Sequence, residues 1–228
     1  MHFPQNLQAV LFDMDGLLLD TERMARDIWF AVARESGYVL NDAIYLPILG
    51  TNVAGTKRII QDAFGPATPV DAMHIEKNVR LEAAVHAGEV PVKPGAVELL
   101  ETLAARGLRS AVATSTGHAL ARLKLHVTGL LPRFEAVSGG DEVAHGKPAP
   151  DVYLLAAARL GVQPTRCLAL EDSANGVRVA HAAGMSVIMV PDLAPATAEM
   201  RELALAVLPD LFAVRDLFTT GEFANRPS

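Results

Sequence analysis

The sequence predicts an α/β fold in which a parallel-sheet core contains an inserted all-helical segment. Three observations support this prediction. The apolar run Ala9–Leu11 is typical of a strand that is buried on both faces. Residues 20–90 then show helical periodicity with few β-branched runs, and from Pro94 onward helices and strands alternate between short Gly or Pro breaks. Half of the 228 residues are apolar, which is enough for a sizeable core.

The alternation after Pro94 predicts four further strands, each preceded by a helix. The helices are expected near 95–106, 118–126, 151–160 and 174–183. The strands are expected at Arg109–Thr114, Phe134–Ser138, Arg166–Leu170 and Ser186–Val190. Right-handed crossovers join repeated units of this kind into a parallel sheet. The first strand must therefore pair with strands that come after the helical segment.

The helical segment is most economically explained as an inserted domain. Its boundaries fall near Asp20 and near the Pro-containing segment 90–94, which links it to the alternating region. We therefore expect a Rossmann-like core formed by residues 1–19 and 91–228. Residues 20–90 are expected to form an all-helical cap domain.

Composition and charge argue against several classes of function. A formal net charge of −6 provides no basic surface for nucleic acid. No stretch reaches ~18 uninterrupted apolar residues, and the first residues lack the pattern of a signal peptide, so we expect a cytoplasmic protein that binds no membrane. The single cysteine, Cys167, lies in an apolar run, which favours burial. The seven histidines lack the close spacings of a zinc site.

Polar residues follow several of the predicted strands. Ligands in open α/β sheets bind beyond the carboxyl ends of the strands, so these side chains are expected at one edge. Two of them, Asp13 and Asp15, share one side of an extended chain. Carboxylates held that close repel each other, which either raises the pKa of one of them or recruits a divalent metal. The complete set is Asp13, Asp15, Thr114, Ser115, Thr116, Lys147, Glu171 and Asp172.

Each of these segments also has a purely structural interpretation. Asp15-Gly16 is an ordinary turn pair, and Thr114–Thr116 could cap the helix that follows it. Glu171–Ser173 could cap the next helix in the same way, and Lys147 could lie in a solvated loop. Their joint occurrence in this order favours one shared chemical site.

Four motifs occur in order along the chain: Asp13-Met14-Asp15-Gly16, Thr114, Lys147 and Glu171-Asp172. With these motifs the chain resembles the haloacid dehalogenase-like superfamily, from about residue 8 to residue 191. Three longer segments, Phe12–Glu22, Gly146–Asp151 and Glu171–Val177, are similar to its sugar-phosphatase and β-phosphoglucomutase-like branch. That branch carries a helical cap of the C1 type after the first motif, which agrees with the position of the inserted segment.

The resemblance implies phosphoryl transfer with Asp13 as the nucleophile and Asp15 as the general acid and base. It implies Mg²⁺ as the cofactor, with the backbone carbonyl of Asp15 as one ligand. Glu171 either contacts the metal in some states or holds the residues that bind it. The implied metal residues are Asp13, Asp15, Glu171 and Asp172. The implied phosphate-binding residues are Thr114, Ser115 and Lys147. The expected substrate is a small phosphorylated metabolite, a sugar or polyol phosphate, hydrolysed through an aspartyl-phosphate.

Two positions in the helical segment distinguish phosphate-ester hydrolysis from intramolecular phosphoryl transfer of the β-phosphoglucomutase type. In the β-phosphoglucomutase pattern a His follows the first motif where this chain has Ala25, and an Arg follows the cap glycine where Gly50–Val53 has none. Both departures favour hydrolysis over intramolecular transfer, which remains the first alternative. Glu22 and Asn52 are the expected substrate-binding residues of the cap. The second alternative is a non-catalytic protein that binds a phosphate ligand, and we expect a monomer or weak homodimer.

Overall fold

The computed structural model describes residues 6–49 and 53–220. A parallel sheet of six strands forms the core of this described part, in the order β3-β2-β1-β4-β5-β6. The strands are β1 Ala9–Phe12, β2 Arg109–Ala113, β3 Ala136–Ser138, β4 Cys167–Glu171, β5 Ser186–Met189 and β6 Ala206–Val207. The α/β fold class expected from the sequence is confirmed.

The first strand lies at the centre of the sheet and is buried along its whole length. Phe12 pairs with Val112 of β2 on one side and with Leu170 of β4 on the other. Strands that are covered on both faces consist of apolar residues, which is why continuous apolar runs predict them. This register brings the residues after β1, β2 and β4 to the same edge of the sheet.

Backbone contacts divide the chain into two compact units, Met1–Asp20 with Pro91–Ser228 and Thr21–Val90. The described residues of the second unit form helices and turns without a strand. Its helices are α1 Thr21–Glu35, α2 Asp42–Tyr45, α3 Val53–Phe64 and α4 Val70–His86. Helix α1 packs against α4, and Trp29, Val32 and Met73 are among the buried side chains of these two helices. The role of this unit as a cap stays a prediction.

The helices of the first unit cover the sheet. They are α5 Ala96–Ala105, α6 His118–Val127, α7 Asp151–Arg159, α8 Ala174–Ala182, α9 Ala198–Leu203 and α10 Leu211–Thr219. Helix α7 packs on β2 and β3, α8 packs on β5, and α10 packs on α5. Cys167 is buried in β4, as the apolar run predicts. None of the described helices is long and apolar enough to cross a bilayer.

Most predicted elements agree with the structure to within two residues at each end. The third strand begins at Ala136 rather than Phe134 because a 3₁₀ turn at Leu131–Arg133 precedes it. The fourth strand extends by one residue to include Glu171. Sequence reasoning did not predict β6, α9 or α10. A strand as short as β6 has no periodicity to detect and forms by pairing with β5.

Candidate active site

The chain turns directly after β1, and this turn carries Asp13 and Asp15. The amide of Asp13 donates to the carbonyl of Leu170 at 3.0 Å, so Asp13 still lies at the sheet edge beside β4. Gly16 has a φ of 89°, in the left-handed region that favours glycine, and its amide donates to the carbonyl of Leu19 at 2.8 Å. The turn therefore places both acidic residues at the carboxyl end of the central strand.

Lys147 bridges two carboxylates, that of Asp13 directly after β1 and that of Glu171 at the end of β4. Its Nζ donates to Asp13 Oδ1 at 2.7 Å and to Glu171 Oε1 at 2.6 Å. Only 8% of the Lys147 side chain is exposed, and the Glu171 side chain is completely buried. A buried charge is tolerated when it is paired in this way. The interpretation of Lys147 as a residue of a solvated loop is therefore wrong.

The carboxylate of Glu171 is enclosed by its neighbours. Its Oε1 also accepts from the hydroxyl of Tyr153 at 2.9 Å, and its Oε2 accepts from the hydroxyl of Ser173 at 3.3 Å. Gly176, in the first turn of α8, lies so close that a Cβ there would be 1.9 Å from the carboxylate carbon. Ser173 caps α8 by accepting from the amide of Gly176 at 3.1 Å. Glu171 thus anchors Lys147 within a closely packed pocket.

Three carboxylates form a group that could hold a metal ion. Asp13, Glu171 and Asp172 each offer an oxygen, and these three oxygens lie within 4.8 Å of one another. Hard oxygen ligands of this kind suit Mg²⁺, which binds through one or two carboxylates and keeps several waters. The donor set therefore fits a divalent cation. The expected contribution of the Asp15 carbonyl stays a prediction.

The electrostatics of the site follow from burial and charge. Burial is the main reason that the pKa of Asp13 rises to about 7; Lys147 opposes the rise, and the charges of Glu171 and Asp15 add to it. Burial alone would lower the pKa of Lys147, but Asp13 and Glu171 hold that pKa above its ordinary range. A bound cation would favour the ionised form of Asp13 and so lower its pKa.

Asp15 is held by two residues, Lys124 and Thr116, to which the sequence analysis assigned no role in positioning it. Lys124 of α6 donates from Nζ to Asp15 Oδ1 at 2.7 Å, and the hydroxyl of Thr116 donates to Asp15 Oδ2 at 2.6 Å. A signal for Lys124 existed: it lies three residues after Ala121, on the buried face of α6. Thr116 belongs to the segment 114–116, which the sequence places at this edge with phosphate contact or helix capping as its interpretations. Capping by this segment is wrong, because Gly117 is the N-cap of α6 and the first helical amide, that of His118, donates to Asp141 Oδ1 at 2.7 Å.

The other residues expected at the site are Thr114, Ser115, Glu22 and Asn52. Thr114 is buried after β2, and its amide donates to the carbonyl of Ser138 at 3.0 Å. The backbone of Ser115 lies against Gly140 so closely that a Cβ on Gly140 would clash with it. Glu22 lies in the first turn of α1 in the helical unit. Asn52 lies outside the described residues. Phosphate or substrate binding by these four residues stays a prediction.

Comparisons with known proteins agree on one family. A model of the haloacid dehalogenase-like hydrolases matches residues 7–184. Protein CbbY of Rhodobacter capsulatus is 36% identical over 195 residues, covering 81% of this chain and 86% of CbbY. The phosphorylated carbohydrates phosphatase of Thermotoga maritima is 32% identical over 183 residues, covering 80% and 84%. The crystal structure of a hydrolase from Deinococcus radiodurans, with bound phosphate and sodium, is 30% identical, covers 100% of both chains and has a TM-score of 0.85.

Proposed function

Since the chain belongs to the haloacid dehalogenase-like hydrolases, we propose that it is a Mg²⁺-dependent phosphomonoester hydrolase that works through an aspartyl-phosphate. The family match and the relatives named as phosphatases make it an enzyme of the phosphatase type. The observation that carries the finer proposal is the Lys147 bridge beside the carboxylates of Asp13, Glu171 and Asp172. A nucleophile, a cation for phosphoryl oxygens and a metal-binding group then share one edge of the sheet.

In the first step, an ionised Asp13 oxygen attacks phosphorus and forms a new O–P bond while the ester O–P bond breaks. The leaving alkoxide takes a proton from Asp15, which acts as the general acid. The ammonium of Lys147 and the hydroxyl of Thr114 stabilise charge on the phosphoryl oxygens. The products of this step are the free alcohol and Asp13 carrying a phosphoryl group.

In the second step, Asp15 acts as the general base and removes a proton from a water molecule. The hydroxide oxygen attacks phosphorus, the bond between Asp13 and phosphorus breaks, and inorganic phosphate leaves. Asp13 returns to its carboxylate and Asp15 is again protonated. Splitting the displacement into two steps replaces one difficult reaction by two easier ones.

The charges around the site support a role for a divalent cation. With all groups ionised, the carboxylates of Asp13, Asp15, Glu171 and Asp172 carry four negative charges, whereas the ammonium groups of Lys124 and Lys147 supply two positive charges. Asp13, Asp172 and the Asp15 carbonyl would hold Mg²⁺, with Glu171 beside them. When bound, the ion neutralises charge that develops on the phosphoryl oxygens.

The proposed substrates are small phosphorylated metabolites, and sugar or polyol phosphates are the proposed class. The support comes from the Thermotoga maritima relative, whose name gives phosphorylated carbohydrates as its substrates. The Deinococcus radiodurans hydrolase, with phosphate bound, supports a phosphate-containing ligand. The helical unit would select among such substrates, with Glu22 and Asn52 as the proposed contacts.

A phosphate-release screen tests the proposal. Purified protein is incubated with sugar and polyol phosphates, including glucose 6-phosphate, fructose 1-phosphate and glycerol 3-phosphate, with Mg²⁺ or with EDTA. We expect release that requires Mg²⁺ and is lost in Asp13→Asn, and a phosphorylated protein whose phosphoryl group maps to Asp13 by mass spectrometry. Release that survives in Asp13→Asn would contradict the mechanism.

A further sample with β-glucose 1-phosphate separates hydrolysis from its first alternative. If the protein converts β-glucose 1-phosphate to glucose 6-phosphate faster than it releases phosphate, it is a mutase. We expect release to dominate because Ala25 offers no side chain that could hold a bisphosphate or transfer a proton.

A further inference from the structure

We infer that Lys124, together with Thr116, is a positioning residue that fixes the orientation of the Asp15 carboxyl group for proton transfer. This inference rests on the proposed hydrolase function. Both residues lie outside the four motifs. Both bonds to Asp15 are short: 2.7 Å from Lys124 Nζ and 2.6 Å from Thr116 Oγ1.

The burial of Lys124 needs an explanation that packing does not supply. Only 8% of its side chain is exposed, and it shares the buried face of α6 with Ala121 and Leu125. Taking an ammonium group out of water is costly, and a well-packed apolar residue at such a position is often equally or more stabilising. The lysine reaches from the last turn of α6 to Asp15, 109 residues away in the sequence. Its ammonium group therefore serves Asp15 rather than the core.

The two donors restrain the carboxyl group from two separate elements. Lys124 holds Oδ1 from α6, whereas Thr116 holds Oδ2 from the loop after β2. Because a donor holds each oxygen, rotation of the carboxyl plane would break both bonds. Each carboxylate oxygen has two lone pairs, so these bonds do not by themselves block proton transfer. A general acid works only from the correct position, and a displacement of about 1 Å can cost about 100-fold in rate.

The loop after β2 links this restraint to the expected phosphate site. The amide of Thr116 donates to the hydroxyl oxygen of Thr114 at 3.1 Å. Thr114 is the residue proposed to bind phosphoryl oxygens, and Thr116 holds the proposed acid. One short segment thus sets the distance between the phosphoryl group and the proton donor.

The test compares substrates that differ in their need for an acid. The leaving group of a sugar phosphate is an alkoxide, which needs a proton from a general acid. The leaving group of p-nitrophenyl phosphate is a stable phenolate, which needs little help from an acid. The value of kcat/KM reports the steps up to departure of the leaving group. We expect Lys124→Met to lower kcat/KM about 30-fold or more for the best alkyl phosphate of the screen, but only about threefold for p-nitrophenyl phosphate. Thr116→Val should show the same selective loss to a smaller degree.

A second comparison shows whether Lys124 acts through Asp15. In an Asp15→Asn background, adding Lys124→Met should change kcat/KM for the alkyl phosphate less than about threefold, since effects of coupled residues do not add. Arg178→Met is the matched control, because it removes a cation from the surface pair with Glu199 in the same unit and should leave both substrates unaffected. Thermal melts by circular dichroism identify variants that fail to fold, and Thr116→Val decides the question if Lys124→Met is one of them.

The outcomes distinguish two failures. Equal losses for both substrates, or full additivity with Asp15→Asn, would overturn positioning by Lys124 while leaving the hydrolase proposal intact. Wild-type protein that releases no phosphate from either substrate, or releases it equally in Asp13→Asn, would overturn the proposed function and the positioning role with it.

Discussion

Replacing Gly176 by alanine tests how closely the Glu171 pocket is packed. Gly176 lies within helix α8, where alanine ordinarily stabilises a helix relative to glycine by about 1 kcal/mol. Helix propensity alone therefore predicts a more stable protein. The structure predicts the opposite, because the added methyl group would occupy the space of the Glu171 carboxylate.

The magnitude follows from the distances. A Cβ at residue 176 would lie 1.9 Å from the carboxylate carbon of Glu171 and 2.1 Å from Oε1. Non-bonded carbon atoms stay about 3.5 Å apart, so the carboxylate or the helix must move by more than about 1 Å. That movement would take the 2.6 Å bond from Lys147 and the 2.9 Å bond from Tyr153 beyond hydrogen-bonding distance. Overpacking costs about 1–3 kcal/mol and a broken buried ion pair about 3–5 kcal/mol.

We therefore expect Gly176→Ala to lose about 3 kcal/mol or more, seen as a fall in Tm of about 6–12 °C for a protein of this size. Phosphate release should fall with it, because Lys147 loses its anchor. Gly146→Ala is the control: it directly precedes Lys147 but adds its methyl group to open space. A Gly176→Ala protein with unchanged or raised Tm and full activity would refute the account of the pocket.

Three further predictions concern charge and metal. Lys147→Met leaves the carboxylates of Asp13 and Glu171 buried without their cation, so we expect a loss of about 3–5 kcal/mol in urea unfolding and no activity; unchanged stability would contradict the pairing. Hydrogen bonds from Arg159 lower the pKa of Glu142 from 4.5 to about 2, so this pair stabilises the fold fully above pH 4.5 and is lost as the pH falls toward 2. Glu142→Gln should accordingly lower Tm at pH 7, and the difference in Tm between wild type and variant should shrink as the pH falls from 4.5 toward 2. A difference in Tm that stays constant with pH would show that the ion pair does not contribute. EDTA should abolish phosphate release and excess MgCl₂ should restore it, whereas activity that resists chelation argues against a metal.

The ion pairs of Lys147 and of Lys124 differ in how far the sequence predicts them. Asp13, Lys147, Glu171 and Asp172 could be expected together, because each belongs to a motif and the carboxyl ends of parallel strands meet at one edge. The partner of Asp15 could not be expected in the same way. Lys124 belongs to no motif, and its helical spacing from Ala121 is a weak signal, because a single lysine in a helical stretch is usually solvated.

Glu171 shows a second limit. Its position after an apolar run indicated a strand end, and its acidic character suggested a metal site. The structure adds that its oxygens accept bonds from Lys147, Tyr153 and Ser173. No property of the isolated segment distinguishes a carboxylate that binds a cation directly from one that anchors a lysine beside it.

Local patterns along the chain were enough to establish the α/β class, most strand and helix bounds and the edge at which the acidic motifs meet. They suffice because burial of a strand or of one helix face imposes a periodicity that can be read residue by residue. The contacts of Asp15 with Lys124 and Thr116, and of Glu171 with Tyr153 and Gly176, depended on the packed molecule. Asp15 meets its partners across 109 and 101 residues of sequence, and such contacts depend on how each helix is rotated against the sheet, which packing alone determines.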